Sequence, residues 1–145
     1  MIKVLFVCIH NSARSQMAEE LLRREMPAEI EVSSAGLEPG QLNPIVVELL
    51  SEIGIDIQGK ATRSVFDIFR SGKSFNYVIT VCDESSGERC PIFPGAVKRL
   101  HWSFPDPSAL DGDRETKKAE TREIMLIIEA KIKDFTAELR KILAS

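Results

Sequence analysis

Hydrophobic positions change their spacing repeatedly along the chain, and each change predicts a new element. Residues 2–7 are an apolar run rich in β-branched side chains, the pattern of a strand covered on both faces. From Ser12 to Met26 the spacing becomes helical, with Met17, Ala18, Leu21 and Leu22 as the apolar stripe, and Pro27 stops the helix. Ile30 to Ala35 reads as a second short strand and Gly36 to Gly40 as a loop. The next helix runs from about Asn43 to Ile53. Asn43 can cap it, Pro44 suits its first position and Gly54 suits the residue just past its end. A weaker helix is expected over Ser64–Arg70, a third buried strand over Tyr77–Val81 with Cys82 at its end, and a fourth strand over Val97–Trp102. Between the last two, Asp83–Pro94 is polar, carries Gly87, Pro91 and Pro94, and reads as a loop; Asp106-Pro107 reads as a turn. Ile124, Ile127, Ile128, Ile132, Phe135, Leu139 and Ile142 keep helical spacing, so a long terminal helix is expected from Arg114 to Leu143, lying across the sheet.

Strands that alternate with helices, joined by crossovers long enough for parallel pairing, imply an α/β fold: a three-layer sandwich with a central sheet of four parallel strands. The 145 residues suit one domain, residues 1–145, with a hydrophobic core of its own. In such a sheet, ligands bind beyond the carboxyl ends of the strands. Cys8 follows the first strand, Cys82 ends the third and Asp106 lies shortly after the fourth, so the architecture alone brings all three toward one rim.

Composition narrows the classes of function. No segment approaches the roughly eighteen apolar residues of a membrane span, and the N-terminal apolar run is too short for a signal sequence, so a cytoplasmic protein is expected. The net charge is −3 with both signs interspersed, which leaves no basic stripe for nucleic acid, so neither nucleic acid nor, for want of an apolar span, a membrane is expected as a partner. Three cysteines is an odd count in a chain with no export signal, and favours catalytic or redox thiols over a structural disulfide framework.

Position makes that preference specific. Cys8-Ile9-His10-Asn11-Ser12-Ala13-Arg14-Ser15 has the form C-x5-R-S between a buried strand and a helix. A loop there can turn its backbone N–H groups inward as an anion-binding nest, and the helix dipole adds favourable potential for a tetrahedral oxyanion. Arg14 supplies a planar fork for two oxygens at once. The same donors favour a Cys8 thiolate, to which the Ser15 hydroxyl can donate. A cysteine ending an apolar strand is usually a small core residue, but a core role explains neither the arginine spacing nor the polar loop.

These residues carry a resemblance. The segment VCIHNSARS, residues 7–15, is similar to the phosphate loop of the low-molecular-weight protein tyrosine phosphatase superfamily, which includes thioredoxin-coupled arsenate reductases. The similarity extends through SSAG at residues 33–36, the Asp106-Pro107 turn and the terminal helix. Asn11, the run from Ser15 to Glu19 and the stretch from His101 to Pro107 look more like the reductases. The resemblance implies the low-molecular-weight phosphotyrosine phosphatase-like fold, substrate binding by residues 9–15, a general acid at Asp106 and a loop-stiffening role for Asn11.

Reduction needs electrons that a single thiol cannot supply. Cys82 and Cys90, with seven residues between them in a polar, Gly- and Pro-containing loop, could supply them by thiol exchange. By similarity, Cys8 attacks arsenate, Cys82 resolves the adduct, and Cys90 passes the oxidation outward for thioredoxin to reduce, with local unfolding of residues 82–94 expected. No bound cofactor and no metal are expected, because His10 and His101 match no common zinc spacing with the cysteines. Some members carry a potassium site beside the loop; Asn11, Glu19 and Ser34 resemble part of it, but Arg63 stands where its further carboxylate would be. Arsenate is the expected substrate, with phosphate and sulfate competing, and the protein is expected to be a monomer. The alternatives are a tyrosine phosphatase using the same loop and a non-catalytic oxyanion-binding module. Ser108 and Ala109 follow Asp106-Pro107 in place of the aromatic pair common in the phosphatases, and binding alone requires no acid.

Overall fold

A computed structural model describes residues 1–83 and 96–144. Its sheet has four parallel strands: β1 (Ile2–Cys8), β2 (Ile30–Gly36), β3 (Phe75–Thr80) and β4 (Ala96–His101), in the order β2-β1-β3-β4. The helices are α1 (Arg14–Glu25), α2 (Pro44–Glu52), α3 (Val65–Arg70) and α4 (Arg114–Ala144), with a 3-10 turn at Pro107–Ala109. This is the α/β sandwich expected from the alternation of patterns.

The apolar run of β1 from Val4 to Cys8 has its cause in its place inside the sheet, between β2 and β3, where Val4, Leu5, Phe6 and Val7 are all fully buried. Successive side chains enter opposite layers. Val4, Phe6 and Cys8 join the larger core, built with α1, α2 and α4, whereas Leu5 and Val7 join a smaller one with Ala35, Phe75, Val78 and Val65 of α3. Among the described residues the layers are therefore unequal, three helices facing one short one. On the larger side α4 stacks Phe135 edge-on to Tyr77 and Trp102, with ring centroids 5.3 and 5.4 Å apart.

The predicted caps of α2 are both present. Asn43 accepts from the backbone N–H of Ile45 and Val46 at 2.9 and 3.4 Å, Pro44 opens the helix, and Gly54 follows it at φ +84°. Several boundaries differ from expectation by one or two residues, β3 beginning at Phe75 rather than the expected Tyr77 and β4 spanning Ala96–His101 rather than Val97–Trp102, and two of the differences bear on the site. α1 begins at Arg14, two residues later than Ser12, because Asn11 has φ +54° and Ala13 a non-helical conformation. β3 ends at Thr80, so Cys82 lies two residues past it, although Val81 still donates to Val7 O at 2.9 Å. Most of the expected loop over Asp83–Pro94, Cys90 included, lies outside the described residues.

Candidate active site

The loop from Cys8 to Ala13 joins β1 to α1, and four of its carbonyls are fixed by the backbone N–H groups of residues 37–43. Leu37 N–H donates to Cys8 O (3.1 Å), Glu38 N–H to Ile9 O (2.7 Å), Gly40 N–H to His10 O (2.9 Å) and Asn43 N–H to Ser12 O (3.0 Å). In a planar trans peptide the N–H opposes the preceding C=O. Fixing these carbonyls against residues 37–43 therefore aims the N–H groups of Ile9, His10, Asn11 and Ala13 the other way, into a cup at the helix N-terminus. Asn11 N–H indeed points at Cys8 Sγ, 3.1 Å away.

Cys8 Sγ also lies 2.9 Å from Ser15 Oγ. With Cys8 as thiolate only the hydroxyl can donate, and Asn11 orients it by donating Nδ2–H to Ser15 Oγ at 2.8 Å. Asn11 is the hub of the loop. Its Nδ2 also donates to Ser34 Oγ (2.9 Å), and its Oδ1 accepts from Arg63 N–H (2.9 Å) and Gln16 Nε2 (3.1 Å). Gly36 makes the approach of β2 possible: a Cβ there would stand 2.7 Å from Ile9 O and 2.8 Å from Asn11 N.

On the open side of the cup Arg14, 2% exposed, donates from Nη1 to Phe104 O at 3.1 Å. Its Nη2 stands 3.7 Å from Asp106 Oδ2, a separation that keeps acid and guanidinium adjacent without locking one to the other. Asp106 caps the 3-10 turn by accepting from Ser108 N–H at 2.9 Å. Ser108 Oγ in turn meets Ser12 Oγ (3.4 Å) and accepts from Asn43 Nδ2 (3.1 Å), which ties the acid's turn to the cup and to the cap of α2. Cys82 is fully buried and follows β3, the strand beside β1, so its thiol and that of Cys8 leave the same rim.

Behind the cup lies a charged cluster. Glu19, 5% exposed, accepts from Ser34 Oγ at 2.5 Å and pairs with Lys60 Nζ at 2.9 Å and with Arg23. Burial pushes the Glu19 carboxyl up, yet the Lys60 ammonium, the Ser34 hydroxyl and Arg23 together outweigh it and hold the group below the ordinary carboxylate value.

Comparison with known proteins agrees with this geometry. The low-molecular-weight phosphotyrosine protein phosphatase family matches residues 3–144. The chain belongs to that family. Within it, the arsenate reductase of Shouchella clausii is 36% identical over 133 residues, 91% of this chain and 93% of that protein. Two solved structures share the fold. The arsenate reductase of Archaeoglobus fulgidus is 30% identical with a TM-score of 0.73, covering 92% of this chain and 98% of its own. The thioredoxin-dependent arsenate reductase of Corynebacterium glutamicum is 31% identical with a TM-score of 0.71, covering all of this chain and 64% of its own.

Of the residues singled out from the sequence, the phosphatase-family loop from Cys8 to Ser15, Arg14 and Asp106 converge on the cup, and Cys82 lies at the same rim; Cys90 falls outside the described residues. Four contributors carried little sequence signal. The close approach at Gly36 shows only in the pairing of β1 with β2, where Cys8 stands opposite Gly36. The Ser108 and Phe104 contacts and the backbone of Arg63 depend on how distant loops dock.

Proposed function

We propose that this protein reduces arsenate to arsenite, an arsenic-detoxifying reaction run on cysteine thiolates, with reduced thioredoxin as the source of electrons. The observation that carries the reading is a second buried thiol, Cys82, leaving the sheet rim beside the cup that holds Cys8 Sγ. Hydrolysis of a phosphomonoester has no use for it. Similarity to arsenate reductases over nine-tenths of the chain points the same way, and the thioredoxin-dependent relative supports the choice of reductant.

The cup binds the tetrahedral oxyanion through its inward N–H groups, with the Arg14 fork on two oxygens. Cys8 thiolate attacks arsenic, an As–S bond forms, and one As–O bond breaks as Asp106 protonates the departing hydroxide to water. Cys82, as thiolate, then attacks Cys8 Sγ. The new S–S bond displaces arsenic with the electron pair of the As–S bond, so arsenic leaves as arsenite, reduced by two electrons, while the two thiols become a disulfide. Cys90 attacks Cys82, releases Cys8 as thiolate and leaves a Cys82–Cys90 disulfide for the thioredoxin dithiol to reduce. Because Cys82 is fully buried, its passage from Cys8 to Cys90 requires Cys82 to leave its buried position. A cytoplasmic setting, where thiols are kept reduced, suits this chemistry.

The test follows arsenite formation with thioredoxin, thioredoxin reductase and NADPH, beside hydrolysis of an aryl phosphate. Cys8→Ser is expected to abolish both activities. Cys82→Ser and Cys90→Ser are expected to stop thioredoxin-coupled turnover while sparing any hydrolysis. If the latter two variants reduce arsenate at the wild-type rate, the internal relay is wrong.

A further inference from the structure

We propose that Lys60 is a positioning residue for the reaction: its ammonium is a tethered monovalent cation on Glu19 that sets the hydrogen-bond relay behind Cys8 and removes any need for a bound ion. The inference deepens the reading of Cys8 as nucleophile and rests on it.

The relay has a fixed direction. Ser34 donates to Glu19 Oε1 (2.5 Å), which leaves the Ser34 oxygen to accept from Asn11 Nδ2 (2.9 Å). The other Asn11 Nδ2 proton goes to Ser15 Oγ (2.8 Å), which leaves the Ser15 hydroxyl to donate to Cys8 Sγ (2.9 Å). An ionised Glu19 can only accept, so its charge holds Ser34 as its donor and keeps the Ser34 oxygen on Asn11 Nδ2, which anchors the amide that also bonds Ser15. A protonated Glu19 could donate to Ser34 in place of accepting from it, and Asn11 Nδ2 would lose an anchor backed by a fixed negative charge, although its Oδ1 is still held by Arg63 N–H and Gln16 Nε2.

Lys60 is the group that keeps Glu19 ionised at the atom that matters. Its Nζ contacts Oε1, the same oxygen that accepts from Ser34, whereas Arg23 pairs with Oε2. Glu20 completes the cluster, bound by both Lys60 Nζ (2.9 Å) and Arg23 Nη1 (2.7 Å), so two carboxylates face two cations. The Lys60 side chain is 22% exposed and Arg23 43%, which makes the ammonium the less screened of the two. Its position follows from the backbone: Gly59 at φ +80° and Lys60 N–H on Ile57 O (2.9 Å) turn the chain back, and three residues on, Arg63 N–H reaches Asn11 Oδ1 (2.9 Å). One segment therefore touches the relay twice, at Glu19 and at Asn11. The residues do not fit a potassium ion, since an ammonium already contacts the central carboxylate and exposed Arg63 adds a positive charge in place of an acid.

The experiment compares wild type, Lys60→Met and Lys60→Gln, each checked for folding by circular dichroism, in sodium, potassium, ammonium and tetramethylammonium chloride at constant ionic strength. Two readouts are taken: arsenite formation, and the pH profile of Cys8 alkylation by iodoacetamide, resolved by peptide mass. Wild type should be indifferent to the cation. Both variants should lose kcat/KM within the usual range for linked sites, about 5- to 150-fold, and their alkylation profile should move to higher pH. Potassium or ammonium should restore both properties, and tetramethylammonium should not. Unchanged rates and profiles in the variants, loss without rescue in folded variants, or potassium dependence in wild type would each overturn the proposal. The alkylation readout needs no arsenate, so it fails or succeeds separately from the assignment of substrate.

Discussion

Replacing Asn11 separates two effects that the structure superimposes, a left-handed backbone and a hydrogen-bonding hub. Its φ of +54° lies where an alanine is strained by about 1–2 kcal/mol and a glycine is not. Its side chain takes part in four bonds, to Ser15, Ser34, Gln16 and the backbone of Arg63. At about 0.5–1.5 kcal/mol each, their loss costs about 2–6 kcal/mol in either variant. Asn11→Ala adds the backbone strain, offset in part by the about 0.4–1 kcal/mol that alanine gains over glycine through the unfolded chain. Urea denaturation should therefore place both variants well below wild type, with Asn11→Gly above Asn11→Ala by about 0.5–1 kcal/mol. Both should lose arsenate turnover alike, because Ser15 is no longer oriented toward Cys8 in either. An alanine variant as stable as the glycine variant would refute the backbone argument. If both variants stay within about 1 kcal/mol of wild type, the hub does not hold the loop.

Other perturbations probe the supports around the cup. Gly36→Ala would set a Cβ 2.7–2.9 Å from backbone atoms of Ile9, His10 and Asn11, none of which is a flexible side-chain end; a loss of about 1–3 kcal/mol in urea unfolding is expected, and wild-type stability would show that the loop yields freely. Ser108→Ala removes the hydroxyl that links Asp106's turn to Ser12 and Asn43. It should lower kcat about fivefold for about 1 kcal/mol lost, with KM little changed, and a shift confined to KM would assign Ser108 to binding instead. Glu19 fixes a pH response. Its folded value lies below the ordinary 4.5, so its stabilisation is present above that pH and is lost as pH falls from there through the folded value. The curve of unfolding free energy against pH should steepen below 4.5 in wild type and flatten there in Glu19→Gln, and equal slopes would show that Glu19 contributes nothing.

How much of this was legible in advance depended on whether a residue acts through its neighbours in the chain or through what lies across the fold. The strands, the caps of α2 and the amphipathic stripe of α4 repeat a local signal, and each emerged within a few residues of its expected bounds. The later start of α1 has a specific cause: Asn11 at φ +54° and Ala13 in a non-helical conformation bend the loop around the cup, and the helix begins only once that bend is complete. Cys8, Arg14 and Ser15 were readable because strand, spacing and helix all lie within one short segment. Gly36 looked like a loop residue, since nothing near it in sequence reveals that β2 passes within van der Waals distance of the loop backbone. Lys60 was the least visible of all. An exposed-looking lysine after Gly59 has no pattern to belong to, and its significance arises only when Glu19 on α1 and Ser34 on β2 are brought behind Cys8. Chemistry built from one turn of chain can be read from that turn; chemistry tuned from behind, by groups that α1, β2 and the segment of Lys60 contribute, exists only once they have packed.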